Sequence, residues 1–169
     1  MKGLGVILLA GCALAAGCGD DSSSPASPSS APVVFAAQLS PANEVPAVSN
    51  AEGGAAGAVQ ITFVPTGDGG ATASFHIQLT NMTLGTRIVG AHIHPGVPGV
   101  NGSVAVGTGV SGASPFEVDA PITEFRAENI NVVAATAQSI INNPGAFYFN
   151  VHSTLNPGGF ARGQLVRIR

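Results

Sequence analysis

Between Gly57 and Leu79 the chain twice alternates apolar and polar residues with a period of two, broken by Thr66-Gly67-Asp68-Gly69-Gly70. A period of two sends successive side chains to opposite faces of a strand, whereas a helix needs a period near 3.6. Val59, Ile61 and Phe63 share one face of the first run. Phe75, Ile77 and Leu79 share one face of the second, with Ser74, His76 and Gln78 outward. The Gly-rich break has the residues that a tight hairpin turn requires. The two runs therefore predict an antiparallel hairpin with one buried face, which commits the chain to a β architecture.

Similar short runs recur along the sequence. Val33 to Leu39 is a first strand, stopped by Ser40-Pro41, and Ile88 to His94 is another, ended by Pro95-Gly96. Ser103 to Val110 and Pro115 to Val118 are weaker strand signals. Ala146 to Thr154 and Gly163 to Ile168 are strands joined by a turn at Pro157-Gly158-Gly159. One short helix is expected near 135–142, ended by Asn143-Pro144-Gly145. With 23 Gly and 12 Pro to supply turns, about seven to nine strands predict an all-β fold: an antiparallel sandwich or a partly closed barrel.

The N-terminus predicts an address. Met1-Lys2 precedes an apolar run from Gly3 to Ala16, too short for a permanent membrane helix. It closes on Leu14-Ala15-Ala16-Gly17-Cys18, which resembles the lipobox of bacterial lipoproteins, in which the Cys is lipidated and becomes the first mature residue. Leu9-Ala10-Gly11-Cys12 is a second match, but cleavage there would leave an apolar Ala13-Leu14-Ala15-Ala16 at the mature end. Cys18 is followed instead by a Ser-, Pro- and Asp-rich stretch that cannot bury enough surface to fold. The expected layout is a signal peptide at 1–17, a lipidated Cys18 and tether at 18–32, and a β domain at 33–169. The protein would then sit in the bacterial cell envelope, periplasmic or surface-exposed, attached to the membrane through its lipid.

Several function classes fall away. Only 9% of residues are charged, and no Lys/Arg cluster exists to neutralise phosphates, so nucleic acid is not an expected partner. No Gly-x-Ser-x-Gly elbow occurs. With Cys12 removed and Cys18 lipidated, no thiol is left for a disulfide or for metal ligation. The carboxylates show no catalytic pairing, so no enzymatic activity is expected.

The chemistry concentrates on histidine. On a strand, residues two apart point the same way, with Cα atoms about 6.6 Å apart. Ala91 and Ile93 then face the core while His92 and His94 share the other side. In Phe147-Tyr148-Phe149-Asn150-Val151-His152 the Phe residues and Val151 form one face, and Tyr148, Asn150 and His152 the other. If the two strands are neighbours, His92, His94 and His152 converge, and the first reading is that they bond loop backbone and serve the fold of a binding or structural module, whose surface for a protein or glycan partner is that side with the loop from Pro95 to Ser103. The alternative is that the three converge as ligands for Zn or Cu. His76 lies on a separate, solvent-facing side. Arg162 is placed to pair with Glu44 or to cap loop carbonyls through its planar guanidinium.

Taken in order, Leu39-Ser40-Pro41-Ala42-Asn43-Glu44-Val45-Pro46, Gly53-Gly54-Ala55, Ala91-His92-Ile93-His94, Tyr148-Phe149-Asn150-Val151-His152-Ser153 and Pro157-Gly158-Gly159-Phe160-Ala161-Arg162-Gly163-Gln164-Leu165 resemble the CHRD domain. That module occurs in the developmental protein chordin and in many bacterial secreted proteins. The resemblance runs from about Val33 to Ile168. It implies an extracellular β module without an established enzymatic activity. Glu44, Asn150 and Arg162 are expected to be structural or ligand contacts. Two positions depart from the family pattern: Phe160 stands where Glu is usual, and Ser153 where Thr is usual. The His-x-His strand also looks like the metal strand of copper–zinc superoxide dismutases, but the further imidazoles, the Asp ligand and the disulfide of those enzymes have no counterparts here.

Overall fold

The computed structural model describes residues 31–169. The expected signal peptide, the lipidated Cys18 and nearly all of the tether lie outside the described residues. The described chain forms nine strands: β1 (Val33–Leu39), β2 (Ala56–Pro65), β3 (Ala71–Thr80), β4 (Arg87–Pro95), β5 (Val106–Glu117), β6 (Thr123–Val132), β7 (Phe147–Ser153), β8 (Ala161–Gln164) and β9 (Val166–Arg167). One helix, α1 (Ala134–Asn142), precedes β7. The strands make two antiparallel sheets, ordered β6-β3-β2-β1-β9 and β5-β4-β7-β8. The expected sandwich is the observed architecture.

The alternating residues put the core between the sheets. Phe35, Ile61, Phe63, Ile77 and Leu79 of the first sheet and Ile88, Ala91, Ile93, Phe149 and Val151 of the second are all fully buried. Phe75 and Phe149 meet across the gap with ring centroids 5.9 Å apart. The hairpin of β2 and β3 pairs in the register that its alternation predicts, with Ile61 opposite Phe75 and Val59 opposite Ile77.

One strand is absent from the expectations above, and two expectations need correction. The segment after Pro121 carries a strand, β6, that alternation alone does not reveal. Its pairing with β3 jumps from Ala73–Ile130 to Phe75–Ala127, so β6 holds one extra residue there, and Asn129 turns through a positive φ of 59°. Such a bulge switches the parity of the inward residues and hides the period of two. The two weak runs at 103–110 and 115–118 are instead one strand, β5, which starts only at Val106 and passes through Gly109 at a φ of 90°. The last run is not one strand either. β8 pairs with β7 and β9 with β1, so the chain crosses from one sheet to the other at the buried Leu165.

Candidate functional site

The outer face of the β5-β4-β7-β8 sheet carries the chemistry, and the strand register explains how. His94 stands opposite Tyr148, His92 opposite Asn150, and Gly90 opposite His152. Asn150 in turn faces Arg162 on β8. Core packing of Ala91, Ile93, Phe149 and Val151 turns the residues between them outward. Gly90 is the position that makes room: a Cβ there would lie 2.7 Å from Cε1 of His92 and 3.3 Å from Cδ2 of His152. Because that place is empty, the two rings lean together across the strands.

The three histidines converge as their spacing predicts. Their ring centroids are 5.1 Å apart for His92–His152 and 5.6 Å for each of the other two pairs. One ring nitrogen from each lies within 4.8 Å of those of the other two. His94 Nδ1 is 3.0 Å from the Gly102 carbonyl, and His152 Nδ1 is 3.0 Å from the Pro157 carbonyl. A carbonyl oxygen only accepts, so each Nδ1 carries the proton and donates, which leaves the lone pair on Nε2. Both Nε2 atoms are buried without a hydrogen-bond partner, and so is Nδ1 of His92.

The surroundings keep these rings neutral. Burial pushes the His92 imidazole down to about 4, helped by the neighbouring His152 and His94. Burial lowers His94 and His152 as well, against the opposing pull of their carbonyl bonds. Three neutral imidazoles with one nitrogen each within 4.8 Å of the others form a donor set suited to a borderline-soft cation. His76 takes no part, as expected. It sits on the other sheet beside Glu124 and Arg126.

A second layer lies beside the trio. Arg162 is 2% exposed, and Glu44 and Asn150 are buried with it. The Arg162 Nε donates to the Asn43 carbonyl at 2.6 Å, and its Nη1 donates to Asn101 Oδ1 at 2.7 Å. Its guanidinium lies over the Tyr148 ring, 4.6 Å from the centroid. The expected pairing with Glu44 is present at its outer limit, Nε to Oε2 being 4.0 Å. Loop capping is thus the main work of Arg162, and it ties the β1–β2 loop to the β4–β5 loop. Desolvation pushes the Glu44 carboxyl up to about 7, with the Arg162 charge and the Asn150 amide pulling it back.

Tyr148 is the site residue that sequence reasoning left without a role. Its ring stacks on His94, with centroids 5.1 Å apart and planes 11° from parallel, and its hydroxyl accepts from the Gly102 N–H at 3.1 Å. Gly102 is also the residue whose carbonyl orients His94. The only available signal was that Tyr148 alternates with Asn150 and His152 on one strand face. Phe160, which replaces the usual Glu, is fully buried in the hydrophobic core and takes no part in this polar layer.

Comparison with known proteins gives one match. Neither the curated proteins nor the solved structures contain a match to this chain. The family model described as CHRD domain matches residues 35–165, a span that runs from Phe35 in β1 through β8 and includes His92, His94, His152, Glu44 and Arg162. The chain belongs to the CHRD domain family.

Proposed function

We propose that this protein is a non-enzymatic binding module of the bacterial cell envelope, lipid-anchored through Cys18, whose ligand is a transition-metal ion held by His92, His94 and His152. Two observations carry the reading: each of the three histidines brings a ring nitrogen within 4.8 Å of those of the other two, and each holds a buried ring nitrogen without a hydrogen-bond partner. Leaving buried polar atoms unsatisfied costs about 1–3 kcal/mol each, and an ion that these nitrogens ligate offsets that cost. Imidazole donors suit Zn and Cu best. The Gly102 and Pro157 carbonyls supply the outer hydrogen bonds that fix ring orientation and raise donor strength at metal sites.

The test is titration of the purified protein, free of any histidine tag, with Zn(II) and with Cu(II). One equivalent bound at micromolar affinity or tighter, and lost in both His92→Ala and His152→Ala, supports the reading. Retention of affinity in both variants overturns it.

A second reading has its own observation. A cleft of about 450 Å3 is lined by Glu44, Val45, Pro98, Gly99, Arg162 and Gln164, and Val45 together with Val97 and Val100, which flank Pro98 and Gly99 in sequence, is exposed. A protein or glycan partner docking there would use the same loops with the histidines as supports. Pull-down partners that survive the His92→Ala change but not changes at Val97 and Val100 distinguish this reading.

A further inference from the structure

Resting on the metal reading, we infer that the trio is an incomplete coordination sphere, and that the ion's remaining position takes a small monodentate anion. Structural sites for Zn are closed by four protein ligands, whereas three protein ligands leave a position for water or another exogenous donor. Among the described residues, His92, His94 and His152 stand together without a fourth His, Cys, Asp or Glu in their group. Glu44, the carboxylate of the neighbouring layer, is drawn toward Arg162 at 4.0 Å instead.

His92 pairs with Gly107 of β5, where no side chain covers its ring, and an added Cβ there would stand 3.5 Å from Cδ2 of His92. His94 is buried, and His92 and His152 each keep part of their ring surface exposed although one nitrogen of each is buried. Tyr148 does not approach as a fourth donor, because its hydroxyl is bonded to the Gly102 N–H.

Charge selects the class of ligand. Three neutral imidazoles bring no negative charge, so a divalent ion retains its full charge on binding. The buried Arg162 adds a second positive charge nearby, its guanidinium lying over the Tyr148 ring that stacks on His94. A small anion such as azide, a halide or a carboxylate offsets that charge where a neutral donor does not.

The experiment uses the protein loaded with one equivalent of Cu(II) and titrated with sodium azide, followed by optical absorption and electron paramagnetic resonance. The inference predicts a new azide-to-copper charge-transfer band and a changed copper hyperfine pattern, both saturating at one azide per copper. Stoichiometric copper whose spectra do not respond to azide overturns the inference and leaves the metal reading standing. Failure to take up copper, with Zn(II) also unbound, overturns both.

Discussion

His92 and His152 lie on neighbouring strands with their rings 5.1 Å apart, and the space that lets them meet is the missing side chain of Gly90. Neither ring is hydrogen-bonded to the other. Filling that space is therefore a direct perturbation of the site. Gly90→Ala places a methyl group 2.7 Å from His92 Cε1, and the ring must swing away. We expect metal affinity to fall at least about tenfold, or about 1.4 kcal/mol, and folding stability to fall by about 1–3 kcal/mol from overpacking. Metal titration and denaturant unfolding of the variant check the two parts separately.

The pH dependence of stability follows from the buried rings. His92 is held at about 4 when folded, against an ordinary value of 6.5, so between those values the unfolded chain binds more protons. Stability from this source is fully present above pH 6.5 and is lost as pH falls toward 4. His94 and His152 are shifted the same way. Glu44 opposes them. Its folded value of about 7 against 4.5 makes its contribution full below pH 4.5 and lost as pH rises through 7. Three groups outweigh one, so the metal-free protein should show a falling denaturation midpoint from pH 6.5 to pH 4. A flat midpoint across that range contradicts the assignment of neutral, buried rings.

Glu44 and Arg162 should respond unequally to substitution. Arg162→Ala removes the bonds to Asn43 and Asn101 and leaves Glu44 without its opposing charge. Breaking a buried charge pair from one side costs about 3–5 kcal/mol. Glu44→Gln removes a carboxyl that is already partly protonated near neutral pH, so its cost should be clearly smaller. It should also flatten the alkaline side of the stability profile. Paired unfolding curves at pH 5 and pH 8 measure both effects.

Tyr148→Phe tests whether the loop orients the metal ligand. The change removes the acceptor for the Gly102 N–H but keeps the ring stacked on His94. Loss of one neutral hydrogen bond costs about 0.5–1.5 kcal/mol of stability. Because Gly102 also holds His94 Nδ1, metal affinity should fall by about 10-fold or more, in line with other outer hydrogen-bond partners. Equal affinity in the two proteins shows that the loop does not transmit to the ligand.

Much of this was legible in the sequence, for a physical reason. Where a strand pairs without a bulge, as in β2 and β3, the period of two passes directly from residues to faces, and the same logic placed His92, His94 and His152 on one side. The bulge at Asn129 erased that signal in β6, and the switch between sheets at Leu165 cannot be seen in a local pattern. The role of Tyr148 was hidden because it depends on Gly102, distant in sequence and brought in by the β4–β5 loop. Arg162 was anticipated as a loop cap, but its partners Asn43 and Asn101 come from two loops that only the fold brings together.

The most direct test of the central claim is the nitrogen-15 NMR spectrum of the histidine rings during addition of Zn(II). The account predicts that Nε2 of His94, Nε2 of His152 and Nδ1 of His92 shift together and saturate at one equivalent. Nδ1 of His94 and of His152 should stay protonated against their carbonyls throughout. Ring nitrogens that do not move while Zn(II) is added would contradict it, and would make the three histidines part of the fold rather than a site.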